Sequence, residues 1–105
     1  MNDRFLSLLG ISERAGQLCS GHDAVKQTVN TGKAKLIIFT SDASERLRDE
    51  FLRKTEDTDI KIINTGYTME QIHFATGNRA AVLCVTDIGF AKRLTELFNE
   101  KHKEV

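Results

Sequence analysis

Residues 35–40, KLIIFT, decide the fold of this chain. Four consecutive apolar side chains, Leu36 to Phe39, stand between Lys35 and Thr40. Such a short continuous run is typical of a strand that is covered on both faces. Residues 81–85, AVLCV, repeat the pattern and predict a second buried strand. Two weaker strands are predicted at residues 17–20 and 60–63, the latter at an edge of the sheet because its apolar residues partly alternate with polar ones.

Helices are predicted between these strands because apolar residues recur there at helical spacing. Five helices are predicted. The first ends near Gly16, three cover residues 22–31, 43–54 and 67–76, and the last starts near Asp87. The resulting order, α-β-α-β-α-β-α-β-α, predicts an α/β fold built as a three-layer α/β/α sandwich with a small four-stranded sheet. We expect one domain over residues 1–105.

The composition is that of an ordinary globular chain, with 40% hydrophobic and 29% charged residues among 105. The net charge of zero argues against a general polyanion binder, although it allows a local basic site. Cys19 and Cys84 lack the spacing of zinc ligands, so we expect reduced, buried thiols and no metal site. No stretch has the length and apolarity of a membrane span, and we expect a cytoplasmic protein.

The sequence shows no catalytic motif, neither a nucleophile elbow nor a glycine-rich phosphate loop. Asp42 and Asp87 follow apolar strands, which is where α/β enzymes often place catalytic groups. Aspartate is equally favoured as a cap, and we expect both residues to cap the helices that follow. We therefore predict a protein without catalytic activity and without a cofactor. A small enzyme that uses Asp42 or Asp87 remains as an alternative, ranked below the two binding functions described later in this subsection.

The segment 20–26, SGHDAVK, allows two interpretations. Ser20 and Asp23 have the spacing of a capping box, which would explain both residues without a ligand. The same helix start would present the amides of residues 21–23, which favour phosphate groups or electronegative base edges. Gly21 allows close approach of an RNA backbone, and Lys26 lies one helical turn beyond His22. The Asp23 carboxylate could accept hydrogen bonds from a guanine edge.

The second candidate is the segment Asn78-Arg79-Ala80, which joins the fourth helix to the last strand. It is either a turn with one solvated arginine or a recognition loop that offers a positive charge beside small apolar residues.

Five stretches of the chain form a specific combination: residues 8–16 (LLGISERAG), 20–26 (SGHDAVK), 32–38 (GKAKLII), 40–44 (TSDAS) and 85–92 (VTDIGFAK). In these stretches the chain resembles the YlxQ-like bacterial members of the ribosomal L7Ae/L30e superfamily, whose best-known members bind kink-turn RNA. The resemblance extends from about Phe5 to Phe98. The chain departs from the superfamily in having His22-Asp23 in place of an asparagine-glutamate pair, Gln17 in place of a lysine, and a more polar loop at residues 78–80.

The resemblance implies a mixed sheet in the order 1-4-2-3, which would make Cys19 and Cys84 neighbours. It implies non-catalytic binding of structured RNA, kink-turn-like or ribosomal, by a monomer associated with translation, with ribosomal or other proteins as further partners. A protein-interaction module on the same fold is the second alternative. The residues that would contact RNA are Arg14, Gln17, Ser20, Gly21, His22, Asp23, Lys26, Lys33, Asn78, Arg79 and Ala80.

Overall fold

The computed structural model describes residues 3–103, so residues 1–2 and 104–105 lie outside the description. The elements are α1 (Arg4–Arg14), β1 (Leu18–Ser20), α2 (His22–Asn30), β2 (Leu36–Phe39), α3 (Glu45–Thr55), β3 (Lys61–Asn64), α4 (Met69–Thr76), β4 (Val82–Val85) and α5 (Ile88–Lys103). Their order is the predicted one. None of the helices between residues 3 and 103 is long and apolar enough to cross a membrane.

The four strands form one mixed sheet in the order β1-β4-β2-β3, as predicted. The strand β4 is antiparallel to both of its neighbours, while β2 and β3 are parallel. Cys19 pairs with Cys84 across β1 and β4, and both are free thiols. Burial raises the pKa of Cys84 to about 12, so this thiol stays protonated at neutral pH.

Helices cover both faces of the sheet, which is why the central strands are continuously apolar. On β2, Leu36 and Ile38 join the core beneath α1, α4 and α5, whereas Ile37 and Phe39 join the core beneath α2 and α3. The residues of β4 alternate in the same way. The three-layer sandwich is therefore confirmed. Gly10 lets α1 approach α4 closely, because a Cβ atom there would lie 2.7 Å from the carbonyl oxygen of Ala75.

Two predicted helix starts were wrong by two residues. The helix α3 begins at Glu45 and is capped by the hydroxyl of Ser44, because residues 41–42 form a turn and Ala43 is buried in the core. The helix α4 begins at Met69 after a capping box formed by Thr68 and Gln71.

The predicted cap is correct for Asp87 and wrong for Asp42. Asp87 accepts a hydrogen bond of 2.8 Å from the amide of Phe90 in the first turn of α5. Asp42 instead accepts from the amide of Met69, at 3.2 Å, and thus holds the start of α4, not α3. Hydrogen bonds from Thr40 and from the Met69 amide lower the pKa of Asp42.

Candidate nucleic-acid interface

The start of α2 and the loop at residues 77–81 meet at one end of the sheet. Because β1 and β4 are antiparallel, the end of β1 lies beside the beginning of β4. The amide of Gly21 donates a hydrogen bond of 2.9 Å to the carbonyl of Val82, the first residue of β4. Two segments that are far apart in sequence, and that were singled out separately, therefore border a single surface.

The start of α2 has no side-chain cap, so the predicted capping box of Ser20 and Asp23 was wrong. Gly21 is the N-cap, with φ 97° and ψ 160°, and no side chain bonds to the exposed end of the helix. The hydroxyl of Ser20 is buried and has no hydrogen-bond partner among the described residues. The geometry therefore does not offer the Ser20 hydroxyl to a ligand.

The amides at this helix start differ in their availability. The prediction that residues 21–23 all present free amides was wrong for Gly21, whose amide is bound to β4. Within residues 3–103, the amides of His22 and Asp23 donate to no acceptor, as is usual for the first turn of an uncapped helix. Two N–H groups therefore point out of the helix end, where an anion is favoured.

The His22 ring lies between two carboxylates. Its Nδ1 is 3.1 Å from Oδ1 of Asp23, and its Nε2 is 2.7 Å from Oε2 of Glu50 on α3. The hydrogen bonds that the ring donates to Asp23 and then to Glu50 raise the pKa of His22. The ring also packs against the ring of Phe51 in an edge-to-face arrangement, with 5.7 Å between the ring centroids.

Asp23 and Lys26 point to solvent on the outer face of α2. Both residues are exposed, whereas Val25 on the opposite face is completely buried. No ion pair of Lys26 is found in the described part of the chain. Lys26 thus offers a free ammonium group one turn beyond the helix start.

The loop between α4 and β4 is held from several sides. Gly77 ends α4 in the left-handed conformation, with φ 82°. The amide group of Asn78 donates to the carboxylate of Glu13 on α1, and Arg79 Nε lies 2.6 Å from Oε1 of Glu70 on α4. Ala80 is 8% exposed, so its side chain belongs to the core rather than to the surface of the loop.

The structure does not bring all predicted contact residues together. Arg14 lies near the end of α4. Its Nη1 would be 3.6 Å from a Cβ atom at Gly10, and Gly10 itself packs against Ala75 of α4. Gln17 and Lys33 lie at the opposite end of the sheet from Gly21. The side chain of Gln17 accepts a hydrogen bond of 2.9 Å from Thr86, which follows β4, and Lys33 follows the end of α2.

Two residues of this surface were missed by the sequence analysis. Glu50 was not singled out from the sequence, because its contact with His22 spans 28 positions. Phe74 is 94% exposed on α4, although it is a large apolar residue. It lies four positions after Glu70, hence on the helix face where Arg79 is bound. The exposure of Phe74 could have been predicted from the sequence, because the helical spacing of this segment does not place Phe74 on the face that packs against the core.

Sequence comparison gives two curated relatives of nearly equal length. The chain is 30% identical over 95 residues to the RNA-binding protein YlxQ of Bacillus subtilis (strain 168), covering 88% of this chain and 92% of that protein. It is 27% identical over 92 residues to the RNA-binding protein YlxQ of Enterococcus faecium, covering 88% of each.

Solved structures share the fold. A Bacillus halodurans protein of unknown function superposes with a TM-score of 0.86 at 31% identity, covering 93% of this chain and 99% of that one. A 15.5kD RNA binding protein of Giardia lamblia superposes with a TM-score of 0.74 at 17% identity, covering 100% and 93%. The family model of the ribosomal protein L7Ae/L30e/S12e/Gadd45 family matches residues 3–94, and the chain therefore belongs to that family.

Proposed function

We propose that this protein binds structured RNA through the start of α2 and the loop at residues 77–81, without catalysing a reaction. The observation that carries the proposal is the convergence of these two segments, joined by the hydrogen bond between Gly21 and Val82. The names of the two curated relatives, both RNA-binding proteins, support it.

Each group at the helix start has a suitable partner on RNA. The free amides of His22 and Asp23 and the ammonium group of Lys26 suit phosphate oxygens. The exposed carboxylate of Asp23 can only accept hydrogen bonds when ionised, so it suits the amino and imino donors of a guanine edge. Such a combination reads unpaired or non-canonically paired bases better than a regular RNA helix, whose deep groove excludes side chains.

We propose as the target a kink-turn or a similar bent element of ribosomal RNA, bound by a monomer in the cytoplasm during translation, as the family resemblance implies. In the superfamily, the start of the second helix reads sheared G·A pairs, and here α2 would contact their guanines. The loop before the last strand packs there on a flipped-out nucleotide, which Asn78 and Arg79 would border here, and Arg14 would reach the backbone nearby. Gln17 and Lys33 would be reached only by RNA that continues along α2, a helix about 14 Å long.

Binding measurements with three RNAs test this proposal. We expect the protein to prefer a kink-turn RNA or a ribosomal RNA fragment over a plain duplex. Asp23→Ala and Lys26→Ala should each weaken binding of the preferred RNA about tenfold, which is ~1.4 kcal/mol. Lys26→Ala should also reduce the slope of log K against log salt by about one, because one phosphate contact is lost.

Lys92→Ala is the matched control, since Lys92 is an exposed lysine on α5, on the opposite face of the sheet. It should bind RNA like the wild type. If the wild type shows no preference among the three RNAs, or if both α2 variants bind as well as the control, the proposal is wrong. Copurification of a defined protein without nucleic acid would instead favour the protein-interaction alternative.

Phe74 extends the proposed surface onto α4. An almost fully exposed aromatic ring, one helical turn from the Glu70 that pairs with Arg79, can stack on an unpaired base, and stacking of this kind is worth about 1–3 kcal/mol per base. We expect Phe74→Ala to weaken RNA binding about fivefold and Phe74→Tyr to retain it. Ile88→Ala removes another exposed apolar side chain, at the start of α5, and serves as the control. Equal affinities of Phe74→Ala and Ile88→Ala in a filter-binding or fluorescence titration would exclude Phe74 from the interface.

A further inference from the structure

The contacts of His22 require a particular protonation state. Both ring nitrogens lie within hydrogen-bond distance of carboxylate oxygens, Nδ1 at 3.1 Å and Nε2 at 2.7 Å. Ionised carboxylates only accept hydrogen bonds, and a neutral imidazole has a single N–H group. Only the imidazolium form can therefore donate to Asp23 and Glu50 at the same time.

The ring is held in this position by α3 as well as by its own helix. Glu50 approaches from α3 with a side chain that is only 33% exposed, and the buried ring of Phe51 packs edge-to-face with the His22 ring from the core side. The remaining neighbour, Asp23, belongs to the same helix turn as His22. These two carboxylates are the charged groups that act on the ring, so the charge of His22 is set by one residue of each helix.

Protonation of His22 changes the charge that RNA meets at the helix start. With His22 protonated, the group of His22, Asp23 and Glu50 carries one negative charge. With His22 neutral, it carries two. RNA phosphates are repelled by that additional negative charge, and the neutral ring must also give up one of its two carboxylate contacts.

We infer that Glu50 is a positioning residue of the RNA-binding surface, which keeps His22 protonated and oriented so that the start of α2 accepts RNA. This inference rests on the proposed function. Glu50 itself need not touch RNA, since it acts through the His22 ring. RNA affinity is then highest at acidic pH. It falls as the pH rises through the pKa of His22, which both carboxylates raise above the ordinary value of 6.5.

Titrations of a kink-turn RNA between pH 6 and 9, at constant ionic strength, test the inference. For the wild type we expect affinity to fall about three- to tenfold across this range. In Glu50→Gln the fall should occur at lower pH, because one of the carboxylates that favour the imidazolium is gone. His22→Asn should bind with little dependence on pH, and Glu96→Gln, which removes a carboxylate from α5, should follow the wild type.

A second measurement separates this inference from the proposed function. The His22 ring can be titrated by NMR in the free protein, where Glu50→Gln should lower its pKa and Glu96→Gln should not. If the wild type binds RNA but shares one pH profile with Glu50→Gln, the inference is wrong and the proposed function stands. If the wild type binds no RNA at any pH, the proposed function is wrong, even if the NMR titration shows that Glu50→Gln lowers the pKa of His22.

Discussion

Phe51→Ala is expected to destabilise the protein by about 3–5 kcal/mol, the usual cost of deleting a buried phenylalanine side chain. Phe51 is completely buried on the face of the sheet covered by α2 and α3. Its ring lies 6.3 Å from the ring of Phe39, centroid to centroid, so the substitution leaves a cavity beside the central strands. Urea unfolding monitored by circular dichroism would show the loss as a lower midpoint at an unchanged slope.

Leu52→Ala is the matched control for this experiment. Leu52 is the next residue of α3, yet it is 53% exposed and belongs to neither core. We expect a change of about 0.5 kcal/mol or less, as for most surface substitutions. Comparable losses in the two variants would contradict the assignment of Phe51 to the core. Phe51→Leu, which keeps most of the apolar volume, should retain the fold and show whether the ring edge is needed to orient His22.

Gly21→Ala is expected to destabilise the protein by about 1–3 kcal/mol for a reason unrelated to packing. The backbone of Gly21, with φ 97° and ψ 160°, occupies a region that only glycine adopts without strain. A Cβ atom at this position would meet no other atom within 4 Å, so steric overlap contributes nothing. The loss would appear as a lower free energy of unfolding in urea, with RNA binding measured in parallel on the folded variant.

Gly66→Ala separates backbone strain from the general effect of removing a glycine. Gly66 also has open space around it, but its φ lies outside the positive range. Its replacement by alanine should leave stability unchanged or raise it by about 0.4–1 kcal/mol, because the unfolded chain loses entropy. If Gly21→Ala is as stable as Gly66→Ala, the backbone at residue 21 does not have the positive φ described here.

The layers of the fold could be predicted because they depend on patterns within single segments. Runs such as Leu36 to Phe39 indicate burial on both faces, whichever helices provide the cover. The partly alternating residues 60–63 correctly indicated an edge, since β2 is the one strand in the described part of the chain that pairs with β3. The strand order itself came from the family resemblance and not from the pattern.

The details of the surface could not be predicted because they depend on contacts between distant segments. Asp42 is a residue type that favours capping, and it precedes α3 in sequence. In the fold, however, it bonds to the start of α4, 27 positions away. The capping box of Ser20 and Asp23 is absent because Ser20 still belongs to β1, so that Gly21, whose amide bonds to β4, is the N-cap instead. Glu50 is indistinguishable in sequence from its charged neighbours on α3, and only its approach to His22 sets it apart.

The central place of β4 has a consequence for the order in which the molecule assembles. Among residues 3–103, β1 pairs only with β4, and the pair Leu18 and Val85 closes a loop of more than 60 residues. During synthesis, the first three strands cannot complete the sheet, because β1 has no partner until residues 82–85 have been made. Closing so long a loop carries an entropic cost before any contact compensates for it, and such topologies fold more slowly than local ones. The surface proposed to bind RNA can therefore form only after β4 has been synthesised and has paired with β1.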